Sequence, residues 1–153
     1  MYSVALFAHS WLRWVVLLAG LLAVARAIAG RAGGKPWTAA DDRGSLIFSI
    51  ALDIQVLIGL LLYGTGISPI MRVAFLNMAE SMRDPSLRFW AVEHLTGMVV
   101  ALGLAHVGRA VIKRRKYPLG KHQAAAMFFG LAMVLILLSI PWPWGENIRP
   151  LFR

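Results

Sequence analysis

Cysteine is absent from the 153 residues, and acidic residues are scarce, 7 against 16 Lys and Arg. The first absence excludes disulfides, thiol catalysis, Cys-ligated zinc, iron–sulfur clusters and covalently attached c-type haem, all of which need a thiol. Charge is scarce altogether: 15% of the residues are charged while 59% are hydrophobic. A soluble domain carries about 25% charged residues. A chain this poor in polar groups cannot coat a water-soluble globule, so its net charge of +9 is not read as a nucleic-acid-binding surface. The apolar residues must face lipid instead.

What the chain does have is four apolar stretches, at about 4–25, 44–65, 87–112 and 123–140. Each approaches the roughly 20 residues that a helix needs to cross a bilayer. The runs are unbroken, without the apolar–polar alternation of a membrane β-barrel. The expected fold is therefore all-α: a polytopic, four-transmembrane-helix bundle forming one domain over 1–153, with no internal repeat or low-complexity segment. Local punctuation agrees. Thr38 with Asp41 resembles a capping box at the start of the second helix, Asp84-Pro85 is an N-cap with proline at the first helical position, and Pro141 and Pro143 close the fourth.

No positive charge precedes the first apolar run, and Arg26, Arg31, Lys35 and Arg43 follow it. That is the reverse of a secretory signal, so the run reads as a retained helix. The 26–43 and 109–121 connections together carry ten Lys and Arg, whereas the opposite side carries five, Arg72, Arg83, Arg88, Arg149 and Arg153. The positive-inside rule makes the richer side cytoplasmic and both termini external. Trp11, Trp14, Trp90, Trp142 and Trp144 gather near the outer boundary as an interfacial belt. The cluster Lys113, Arg114, Arg115, Lys116 with Lys121 directly follows a span, so topology and contact with anionic lipids at the cytoplasmic face account for it. The long outer connection, about 64–84, contains Ser68-Pro69 as the cap of a short interfacial helix carrying Ile70, Val73, Ala74, Met78 and Met82, with Arg72 and Glu80 toward water. It is either a lid over the bundle or a plain linker.

Ionisable groups at membrane depth are costly and mark candidate sites. His9 and His94 come first, each one to two turns inside the outer end of its span. Paired imidazoles from two helices are one way a four-helix bundle holds b-type haem iron. His9, Arg13 and Gly20 share one helical face, and His94, Gly97, Ala101 and Ala105 share another. These small residues either leave room for a flat macrocycle or form ordinary packing seams. Arg13 needs an anionic partner; Asp53 is expected to supply it as a buried structural pair, and Arg88 suits a haem propionate better. Gln55 is placed to bond between helices. His106, 12 residues beyond His94, faces about 120° away, which disfavours a stacked second haem. His106 and His122 form a weaker second-site candidate near the cytoplasmic side.

The segment His9-Ser10-Trp11-Leu12-Arg13-Trp14, with Ile54-Gln55-Val56-Leu57-Ile58-Gly59, Leu87-Arg88-Phe89-Trp90-Ala91-Val92-Glu93-His94 and the closing Ser139-Ile140-Pro141-Trp142, resembles small four-helix bacterial integral membrane proteins labelled cytochrome b. The resemblance implies residence in the bacterial inner membrane and a non-covalent haem b with His9 and His94 as axial ligands, Arg13 and Glu93 standing beside them. Electron transfer within the membrane, with a quinol pool as one exchange partner, is the function expected from His9 and His94 at matched depth beside small residues. The competing expectation is a subunit of a larger membrane complex that carries no cofactor of its own. No soluble catalytic domain or catalytic motif is legible, so enzymatic activity is left open.

Overall fold

In the computed structural model, residues 1–142 are described and form helices without any strand among them. Four helices are long and apolar enough to cross a membrane. They are α1 (Tyr2–Ala32), α2 (Ala39–Gly64), α5 (Pro85–Arg114) and α6 (Pro118–Ser139), and the short α3 (Pro69–Leu76) and α4 (Met78–Ser81) lie between α2 and α5. Pro143, Trp144, Arg149 and Arg153, expected at the end of the fourth helix, in the aromatic belt and among the outer charges, fall outside the described residues.

The helix starts follow the local chemistry. The Asp41 carboxylate accepts the Thr38 N–H at 2.8 Å and the Thr38 hydroxyl at 2.6 Å. Its other oxygen accepts Arg26 Nε–H at 2.9 Å, tying the end of α1 to the start of α2. Asp84 accepts the Leu87 N–H at 2.8 Å, with Pro85 at the first helical position, where a missing N–H leaves no bond unmade. Helix α1 runs two turns beyond the expected span, to Ala32. Arg26 and Arg31 prolong it because both are good helix formers and end in water.

Around the bundle the order is α2, α1, α6, α5: α1 packs on both α2 and α6, α5 packs closely on α6, and the α2–α5 seam is thinner. Helices α1 and α5 therefore stand diagonally opposed. Val16, Phe48, Leu52, Phe129 and Ile136 fill the centre and are almost inaccessible, with the Phe48 and Phe129 rings edge to face at 5.5 Å. Large apolar side chains such as Leu18, Leu57 and Leu138 point outward, the inverse of a soluble surface and the arrangement that lipid stabilises. Met71 and Ala74 turn α3 inward while Val73 faces out. The short helix α3 thus packs against the start of α5, where Met71 and Ala74 meet Ala91.

Candidate functional site

The half of the bundle nearest the start of α1 contains a cavity of about 130 Å³ between α1, α2, α5 and α6, and Ile70 and Met71 of α3 lie along its wall. His9 and His94 both line it. Their ring centres are 6.4 Å apart and the planes are inclined at 71°. The diagonal placement of α1 and α5 makes this meeting possible: neighbouring helices would pack side by side, whereas diagonal ones present side chains across the bundle interior.

Three local features orient His94. Residues Phe89–Glu93 form a π-turn just before it. A π-turn inserts one residue into the helix and so rotates everything after it relative to the first turn. The Ala91 carbonyl within that turn accepts the Tyr63 hydroxyl at 2.8 Å, so the distortion leaves this acceptor paired and pins α2 to α5. On the other side, His94 Nδ1–H donates to the Ser139 carbonyl at 2.7 Å. Ser139 ends α6, where the last carbonyls have no partner within their own helix. Gly97 permits that approach, since a Cβ there would run into the Ser139 hydroxyl. With the proton held on Nδ1, the lone pair of a neutral His94 sits on Nε2. Phe89 and Trp90 flank the ring at 5.9 and 5.7 Å.

His9 is held through its backbone, whose carbonyl accepts Gln55 Nε2–H at 3.0 Å; this is the interhelical bond expected of Gln55. Its ring lies against Gly59, where a Cβ would come within 3.1 Å of Cε1. His9 Nδ1 is buried and has no hydrogen-bond partner among the described residues, and the same holds for Gln55 Oε1. Two polar atoms at the cavity are thus left for something other than the described chain to satisfy. Arg13 lines the same cavity, with its guanidinium 5.5 Å from the Trp14 ring centre.

Two imidazoles at this separation have the spacing of a pair that shares one metal ion. A metal–imidazole bond of about 2.0–2.1 Å plus roughly 1.1 Å from nitrogen to ring centre, taken twice, gives ~6.3 Å between two rings that share one ion. The observed separation is 6.4 Å. Among the described residues no group of three or more His, Asp or Glu could hold a metal ion. The volume is the tighter constraint. A void of about 130 Å³ takes a small aromatic ring; a porphyrin exceeds it and would fit only with apolar lining such as Leu6, Leu62 and Met98 displaced. The small-residue stripes do not supply the missing room: Gly20 is covered by Met133 and Phe48, and Gly97 by Ser139.

Other expected roles are corrected. Asp53 does not pair with Arg13 among the described residues; its Oδ1 accepts from His106 Nε2–H at 2.7 Å. The two helical rotations that would bring Arg13 and Asp53 together are not those that pack α1 on α2. His106 and His122 do not meet either. His122 is buried, with its ring 4.9 Å from that of Trp37 and Gly30 pressed against it. Arg88 and Glu93 bond to each other at 2.7 Å on the protein's exterior, and neither lines the cavity, so neither is placed to neutralise a propionate or to support an axial ligand. Sequence reasoning missed Tyr63 and the Ser139 carbonyl. The second had a signal: Pro141 denies a donor to the Leu137 carbonyl, which the Trp142 indole N–H satisfies at 2.9 Å, and the other terminal carbonyls of that helix need donors too.

No family model, curated protein or solved structure matches the chain.

Proposed function

We propose that this chain is a b-type haem protein of the bacterial inner membrane that transfers electrons within the bilayer, with His9 and His94 as the residues that would hold the iron and the quinone pool as its exchange partner. The observation that carries the reading is the facing of the two imidazoles at 6.4 Å, with His94 fixed by the Ser139 carbonyl. Bound haem would supply the one-electron couple. The chain supplies the rest. The Ser139 carbonyl keeps the His94 proton on Nδ1 and its ligating lone pair directed away from α6. Gln55 holds the α1 backbone at His9, and the apolar walls exclude water, which keeps the site in a low dielectric. Anionic lipids contact the basic inner face.

A reduced-minus-oxidised visible spectrum of the purified protein, with haem content per chain by pyridine haemochromogen, tests the reading. The expected result is a b-type spectrum lost in both His9→Ala and His94→Ala while the variants remain folded by far-ultraviolet circular dichroism. A haem-free preparation after expression with added haem precursor, or a spectrum unchanged in both variants, rejects it.

A further inference from the structure

Among the described residues one carboxyl–imidazole hydrogen bond lies at mid-span, Asp53 with His106, and it faces outward. Asp53 stands near the middle of the 26-residue α2. His106 lies eight residues, roughly 12 Å of helix, before Arg114. Their side chains are 37% and 53% exposed, on the side of the bundle where α2 and α5 meet. Polar groups at this depth face the interior of a bundle or another protein surface, because hydrocarbon offers them no hydrogen bond. Here the bundle interior does not cover them. Nor is the pair needed merely to join the two helices: Arg109 donates to the Ser45 hydroxyl at 2.7 Å further in, and Tyr63 reaches Ala91 at the outer end.

We infer that this face is the interface of a homodimer, with the Asp53–His106 pairs of two copies meeting across a two-fold axis. The pair is self-complementary in the sense a two-fold requires. Each copy uses His106 Nε2 and Asp53 Oδ1 internally, which leaves one imidazole nitrogen and one carboxylate oxygen. One proton per copy, shared between His106 Nδ1 and the other copy's Asp53 Oδ2, makes the contact a hydrogen bond. The reciprocal bond closes a ring of two carboxyl groups and two imidazoles with no unmatched donor or acceptor. A different apolar subunit would cover the face but would leave these two atoms unmatched. The surrounding surface permits close approach: Gly103, one turn outward on α5, has open space where a Cβ would stand, Ala110 is exposed, and Val99, Val107, Ile50 and Leu57 complete an apolar rim. Small residues beside a polar contact are what lets two membrane helices pack closely. This inference is independent of the haem reading.

The absence of native cysteine makes the test direct. Gly103→Cys, which leaves the polar pair intact, is oxidised with copper phenanthroline in native membranes, beside Leu18→Cys on α1, the helix diagonal to α5. The expected result is a covalent dimer of two copies at Gly103→Cys, identified by mass spectrometry, and none at Leu18→Cys. In the Gly103→Cys background, Asp53→Leu/His106→Leu keeps the face apolar, and the dimer band should be lost while the helix content is unchanged. No dimer at Gly103→Cys, equal cross-linking at Leu18→Cys, a band containing another protein, or undiminished cross-linking in a folded double-leucine variant would each overturn the proposal.

Discussion

Replacing Gly97 by alanine probes how His94 is held. The added Cβ runs into the Ser139 hydroxyl and stands 3.3 Å from Ser139 Cβ. Rotation of Ser139 can relieve the first contact but not the second, so α6 must shift away from α5 at the point where the Ser139 carbonyl accepts His94 Nδ1–H at 2.7 Å. Overpacking of this kind costs about 1–3 kcal/mol, and loss of the buried hydrogen bond a further ~1 kcal/mol. Alanine returns up to about 1 kcal/mol of helix propensity over glycine. The net expected destabilisation is therefore about 1–3 kcal/mol, with packing rather than propensity deciding the sign. Chemical unfolding in detergent micelles, followed by tryptophan fluorescence and circular dichroism, measures it. Gly97→Ala/Ser139→Ala removes the clashing hydroxyl and should recover part of the loss, although the 3.3 Å contact remains. A Gly97→Ala protein as stable as the parent, or more so, would refute close α5–α6 contact at this position and with it the account of how His94 is oriented.

Two further substitutions test the other end of the bundle, where α1 leads into α2. Gly30→Ala drives a methyl group into the His122 imidazole, a rigid ring already enclosed by Trp37, so it should destabilise by about 1–3 kcal/mol; a neutral result in the same unfolding assay would mean that His122 is not packed there. Asp41→Ala removes the cap of α2 and the bond to Arg26. Because Arg26 is half exposed, the ion pair adds little, and the expected cost is about 1 kcal/mol, mostly from the cap. Asp41→Asn, which keeps an acceptor, should then cost less; equal losses would reassign the effect to the charge.

Features that depend on short stretches of chain were legible in the sequence. Thr38, Asp41, Asp84 and Pro85 act within three residues of themselves, so the starts of α2 and α5 follow from local hydrogen bonding alone. The candidate pair was legible in part: matched depth of His9 and His94 is set by residue count along two helices, and Gln55 between helices follows from the need to satisfy an amide in an apolar setting. The partners of Arg88, Glu93 and His122 were not, because each depends on which way a helix faces.

The sequence by itself determined that four helices of sufficient length and apolarity exist, where the capped helices begin, and which polar residues lie at membrane depth, since these are properties of length, composition and local hydrogen bonding. Only the tertiary structure decided that Asp53 takes His106 rather than Arg13, that His94 leans on the Ser139 carbonyl, and that α3 sits against the cavity. The reason is rotational. A helix apolar on every side carries no polar stripe to record which face turns inward, so its rotation is set by packing: by glycines that admit a neighbour, as Gly97 admits Ser139, and by the π-turn at Phe89–Glu93, whose extra residue turns the rest of α5 and brings His94 to face His9.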